Sequence, residues 1–130
     1  MKYYLAAWFN RQAEMRAVRD QLRTMGHEVT SRWLDVDEAR ATPRLFHDND
    51  SEKYAVYARR DLEDVRAADT LVCFSGPEPS IGRHIEFGYA LAQYEDVYVV
   101  GERETIFHIL PDVIHYKTTE EFLMHQKELL

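Results

Sequence analysis

Tyr3 to Phe9 is a short, almost unbroken apolar stretch, the length and pattern of a strand. From about Gln12 to Met25 the spacing changes. Met15, Val18, Leu22 and Met25 recur every three or four residues, as one face of a helix requires, and Gly26 stands where a C-cap belongs. Glu28 to Trp33 predicts a second strand. Asp35 to Asp50 is polar and contains Pro43, a loop long for a compact domain, and such loops often carry function.

A second helix is expected over Glu52 to Ala68, followed by the apolar run Thr70 to Phe74, the pattern of a central strand buried on both faces. Ser75-Gly76-Pro77-Glu78-Pro79-Ser80-Ile81-Gly82 is rich in turn formers. A third helix follows from about Arg83 to Tyr94, then a strand over Val97 to Val100 and a short helical turn over Ile106 to Leu110, stopped by Pro111. Val113 to Tyr116 predicts the last strand, and Thr118 or Thr119 caps a final helix. Strands alternating with helices imply a parallel sheet covered on both faces, an α/β three-layer sandwich. Five strands suggest the flavodoxin-like order 2-1-3-4-5, in one domain over residues 1–130. Ligands in such sheets bind beyond the carboxyl ends of the strands, so the segments after Trp8 and after Phe74 are expected to line a site.

Composition narrows the class. The formal net charge of −7 argues against binding a nucleic acid polymer, which needs a basic surface. A small anion held by local arginines and backbone N–H groups remains open. No apolar run approaches the roughly 20 residues of a membrane span, and nothing at the start resembles a signal peptide. The single cysteine, Cys73, lies inside an apolar run, so no intrachain disulfide forms and a reducing, cytoplasmic setting is expected. Cys73 reads as core rather than nucleophile.

Two acidic residues break apolar patterns. On the second helix, Tyr54, Ala58, Leu62, Val65 and Ala68 form a stripe and Asp61 projects into it, while Arg59, Arg60, Glu63 and Arg66 point outward. A carboxylate there is costly unless something pairs with it or uses it. On the third helix nearly every side is apolar, which implies burial by the domain or by a second subunit. Glu86 intrudes in the first turn after the Gly-rich loop, where the helix dipole favours the carboxylate and apolar neighbours oppose it. Such a group is suited to attack a cationic sugar carbon. The Ser75–Gly82 loop, with Gly76, Gly82 and the Ser80 hydroxyl, can present donors to an anion. Tyr4, Trp8 and Phe9 are placed either to stack on a base or to pack in the core. The six histidines show no metal-ligand spacing, and neither metal nor cofactor is expected. His84 and His108 read as ligand contacts or as structural groups.

In order along the chain, Tyr4-Leu5-Ala6-Ala7-Trp8-Phe9, Arg60-Asp61-Leu62 with Ala68-Asp69, Ser80-Ile81-Gly82 and Glu86-Phe87-Gly88-Tyr89-Ala90 resemble the nucleoside 2-deoxyribosyltransferase family. That family includes a branch of 2′-deoxynucleoside 5′-monophosphate N-glycosidases, and the resemblance covers about Tyr3 to Gly101. It implies that Glu86 is a nucleophile forming a glycosyl–enzyme ester, that Asp61 handles the proton of the base, and that Tyr4 hydrogen-bonds near the nucleophile and orients it. It also implies a homodimer or larger assembly with shared sites. Six residues before the nucleophile the transferases carry an Asp for the free 5′-hydroxyl. Ser80 stands there, as in the monophosphate hydrolases, and suits a phosphate. Arg11 and Arg83 are expected to supply countercharge, and His108 to contact substrate. Arg83-His84 and Ala6-Ala7 depart from both branches and leave base preference open.

The expected activity is therefore cleavage of the N-glycosidic bond of a nucleoside or (deoxy)nucleoside 5′-monophosphate, by hydrolysis or by transfer to another base. A non-catalytic nucleotide-sensing module on the same fold is the alternative. A response-regulator receiver needs an acidic pair after strand 1, where Ala6, Ala7 and Trp8 stand instead.

Overall fold

A computed structural model describes residues 1–36 and 51–128. Strands β1 (Lys2–Ala6), β2 (Glu28–Val29), β3 (Thr70–Phe74), β4 (Asp96–Val100) and β5 (Ile114–Tyr116) form one parallel sheet in the order β2-β1-β3-β4-β5. Helices α1 (Gln12–Thr24) and α4 (Thr119–Glu128) pack together, as do α2 (Ser51–Ala67) and α3 (Ile81–Ala92). Side chains of a strand alternate between faces, so β1 assigns the two layers. Tyr3 reaches α4, donating its hydroxyl to Gln126 and meeting Phe122 edge to face. Tyr4 reaches α3. The architecture is the expected α/β three-layer sandwich. No helix among the described residues is long and apolar enough to cross a membrane.

Several boundaries differ from the pattern-based expectation. β1 stops at Ala6 rather than Phe9, because the chain turns into a 3-10 helix over Phe9–Arg11, closed by Arg11 N–H donating to Trp8 O at 2.9 Å. β2 pairs over two residues only. Arg32–Asp35 curl into another 3-10 helix, which buries Trp33 and Leu34 while Trp33 Nε1 donates to Leu5 O. The apolar residues predicted a buried segment there, and burial is met without strand geometry. The expected loop from Asp35 to Asp50 lies, beyond Val36, outside the described residues.

The helices also sit slightly differently. α3 begins at Ile81, two residues earlier than expected, and is not buried all round. Phe87 and Ala90 are buried, but Ile81 and Ile85 are 75% and 60% exposed. Of the expected stripe on α2 only the end is buried, Val65 and, one residue past the helix, Ala68; Ala58 is exposed. Gly26 does close α1, with φ +93°, a conformation that favours glycine. Thr118 caps α4, its Oγ1 accepting from Glu121 N–H at 3.1 Å.

Candidate active site

The carboxyl ends of β1 and β3 are adjacent, since Ala6 pairs with Cys73, and α3 begins just beyond β3. Tyr4 lies in the sheet with no exposed surface, and its hydroxyl donates a short hydrogen bond to Glu86 Oε2. Burial, then the charges of Glu86 and Asp61 and the bond to Glu86, hold the Tyr4 phenol well above its ordinary acidity range. It therefore stays protonated and acts as a donor. Both carboxylates thus lie close enough to one phenol for their charges to act on it, although they come from different helices. Glu86 and Asp61 are each half-buried.

Glu86 is the sixth residue of α3, in its second turn rather than its first. The helix dipole fades beyond the first turn, so the Tyr4 hydroxyl is the nearer stabiliser of its negative form. Ser80 is the N-cap residue of α3, is half-buried, and makes no side-chain cap hydrogen bond. The first N–H groups of any helix lack intrahelical acceptors, and those of Ile81 and Gly82 open this helix beside Ser80. Gly82 is exposed and Gly76 half-buried in the preceding loop. Trp8 is half-buried after β1, and Phe9 packs on Trp33 with ring centroids 5.9 Å apart.

The two arginines expected at the site behave differently. Arg11 stands at the carboxyl end of β3, donating to Ser75 O at 2.9 Å and pairing with Glu14 at 2.6 Å. Arg83 turns inward. Its side chain is 1% exposed and is held by the Glu104 carboxylate, at 2.8 and 3.0 Å, and by Gly76 O. The expectation that Arg83 offers countercharge to a ligand is thus at odds with its position, because Arg83 is buried as well as paired, whereas Arg11, paired with Glu14, keeps some exposed surface. Instead Arg83 ties the loop after β3 to the segment after β4. His108 is also inward, 2% exposed. It accepts from Glu104 N–H through Nδ1 and stacks edge-on against Phe87 at 4.8 Å. These contacts join it to neither Tyr4 nor Glu86.

The sequence reading missed three features. Asp64 is buried and accepts from Arg32 N and Nε, at 2.9 and 2.8 Å, although it lies three residues after Asp61 and belongs to no motif. Glu104 gave no signal as the partner of Arg83. Cys73, His84 and His108, far apart in sequence, bring one ligand atom each within 4.8 Å of one another.

No family model and no curated protein sequence matches the chain. Solved structures do. The Clostridium botulinum CMP N-glycosidase BcmB superposes with a TM-score of 0.65 at 21% identity, covering 100% of both chains. The 2-deoxyribosyltransferase of the psychrotolerant bacterium Bacillus psychrosaccharolyticus gives a TM-score of 0.70 at 20% identity, covering 95% of this chain and 90% of that one. The sheet order and the helices around it are accordingly those of the nucleoside 2-deoxyribosyltransferase fold, the fold that the motif resemblance implies.

Proposed function

We propose that this chain cleaves the N-glycosidic bond of a nucleoside or (deoxy)nucleoside 5′-monophosphate, with Glu86 as nucleophile. The observation that carries the reading is the buried Tyr4 hydroxyl bonded to Glu86, with the Asp61 charge beside it. A carboxylate fixed in one rotamer by a neutral donor is oriented without being neutralised, which is what attack on an electron-poor carbon requires. The fold neighbours act in the same chemical territory: one is a CMP N-glycosidase, the other a 2-deoxyribosyltransferase.

In the proposed reaction a Glu86 oxygen attacks C1′, the C1′–N bond breaks, and its electron pair leaves with the base. Asp61 delivers the proton that the base takes up. Water or a second base then attacks C1′ of the ester, losing its proton to Asp61 and releasing Glu86. The Ser80 hydroxyl, the N–H groups opening α3, Gly76 and Gly82 form the phosphate cradle, with Arg11 the nearby cation. Trp8 and Phe9 flank the base.

Incubation with a panel of nucleosides and monophosphates, followed by chromatography for free base, tests the reading. Release in water defines a hydrolase, and release only with an added acceptor base defines a transferase. Bound but intact ligand favours the sensing module. Glu86→Ala is expected to lose turnover on the order of 10³-fold or more while still binding nucleotide. Turnover at the wild-type rate would rule out Glu86 as nucleophile.

A second copy of the chain belongs to the same proposal. Ile81, His84, Ile85, Phe87, Gly88, Leu91, Thr105 and Phe107 line an apolar hollow of about 440 Å³, and beside it Ile106 and Ile109 are 79% and 58% exposed. A wide apolar surface of this kind marks an interaction site. Ile85→Arg should shift the protein toward monomer in sedimentation velocity. An unchanged sedimentation coefficient would remove this face from the interface.

A further inference from the structure

We propose that Cys73, His84 and His108 bind a soft, monovalent transition-metal ion of the Cu(I) type, through one thiolate and two imidazoles. The three ligands come from separate elements. Cys73 lies on β3 and shares a sheet face with Ala6 and Tyr4, the face that α3 covers. His84 is in the first turn of α3, and His108 is in the 3-10 turn over Ile106–Ile109. The imidazole rings lie 5.7 Å apart between centroids, and the cysteine sulfur and one nitrogen of each ring fall within 4.8 Å of one another. Metal–sulfur and metal–nitrogen bonds of about 2.0–2.3 Å ask those atoms only to draw somewhat closer.

A second observation points to a ligand. His84 Nδ1 and His108 Nε2 are buried and make no hydrogen bond, and His108 as a whole is 2% exposed. Buried polar atoms normally have partners. Two such nitrogens, on rings that each bring a nitrogen within 4.8 Å of a buried thiol, form a donor set of the kind that soft cations prefer over carboxylate-binding ions.

Charge selects the valence. A thiolate and a monovalent ion sum to zero, which suits a buried position beside the Arg83 guanidinium. A divalent ion leaves an excess positive charge there, because the two cations near Cys73, Arg83 and Arg11, are already matched by the two carboxylates of Glu104 and Glu86. Three ligands also fit the low coordination number that Cu(I) accepts. Ligation takes the sulfur as a thiolate and each imidazole through an unprotonated nitrogen. The ion itself must therefore displace the thiol proton.

The proton balance has a structural consequence. On binding, the S–H bond of Cys73 breaks and its proton passes to solvent, while bonds form from sulfur and from the two nitrogens. His108 Nδ1 accepts from Glu104 N–H, so the neutral ring carries its own proton on Nε2. Ligation at Nε2 moves that proton to Nδ1, and the Glu104 amide must turn away. One ion bound releases one proton and loosens the segment whose carboxylate grips Arg83.

The test is anaerobic titration of the full chain with Cu(I) in competition with a coloured Cu(I) chelator, followed by X-ray absorption at the copper edge. One ion per chain, withdrawn from the chelator into a site of one sulfur and two nitrogens, is expected. Cys73→Ser and His84→Ala should each weaken binding by more than about 100-fold, with circular dichroism confirming that both variants fold. Copper left wholly with the chelator overturns the proposal. So does wild-type affinity in His84→Ala, which would mean capture by the thiol alone. Neither readout involves base release.

Discussion

Tyr4 is a phenol placed where every neighbour opposes its ionisation: the sheet removes water, and Glu86 and Asp61 add negative charge. That makes it a permanent donor to Glu86. A hydrogen bond to a charged group contributes about 1.5–3 kcal/mol, which corresponds to about 10–100-fold in rate if it is felt in the transition state. Tyr4→Phe keeps the ring packing and removes only the donor. It is expected to lower kcat/KM for base release by about that factor, with little change in thermal stability. Equal rates for the two proteins would assign the hydroxyl a packing role. At this scale the sequence was partly legible. Tyr4 and Glu86 stand in motifs whose resemblance links them, and they are hydrogen-bonded. Arg83 and His108 were legible only as polar side chains near a loop. Their direction depends on Glu104, which lies 21 residues beyond Arg83 and only four before His108, in a turn whose contacts no apolar or polar pattern marks.

At the scale of elements, the sequence pattern identified the four α-helices and five strands and placed both ends of β3, but it overran the carboxyl ends of β1 and β2. The second strand shows why. Ser31, Trp33 and Leu34 are buried as a strand pattern demands. The backbone bends because Asp64 on α2 takes both the amide and the guanidinium of Arg32, and because Leu34 N–H returns to Ser31 O at 3.2 Å. A tertiary carboxylate thus overrides local preference, and no window of sequence contains both partners. Asp64→Ala should leave the Arg32 amide without its acceptor and cost about 1–3 kcal/mol. The measurement is a urea melt, with a lower midpoint and an unchanged slope. A midpoint matching wild type would show that the 3-10 turn holds itself.

For the molecule as a whole, the parallel sheet separates two ends. The carboxyl ends of the strands carry Tyr4, Glu86 and the loops around them. The amino ends carry a different feature, Glu95 just before β4, whose carboxylate oxygens are buried without hydrogen bonds. Burial, then the charge of Asp69, raises its pKa from 4.5 to about 7. The folded state therefore holds this proton more tightly than the unfolded chain. Its contribution to stability is fully present below pH 4.5 and is lost as pH rises through about 7. Glu95→Gln should remove that dependence and raise Tm at pH 8 by a few degrees. Parallel Tm–pH curves for the two proteins would contradict it. The strand order was legible because alternating elements leave few right-handed windings. The Cys73, His84 and His108 cluster was not, because it exists only once β3, α3 and the turn after β4 meet.

The position of β1 inside the sheet has a consequence for how the chain assembles. Tyr3 to Ala6 are fully buried, yet the partner on one side is a strand of two residues and the partner on the other is Thr70–Phe74. Ribosomal synthesis delivers β1 first and its main neighbour more than half a chain later. The amino-terminal third must therefore wait, its tyrosines wet and its edge open, until Phe74 has emerged to close it.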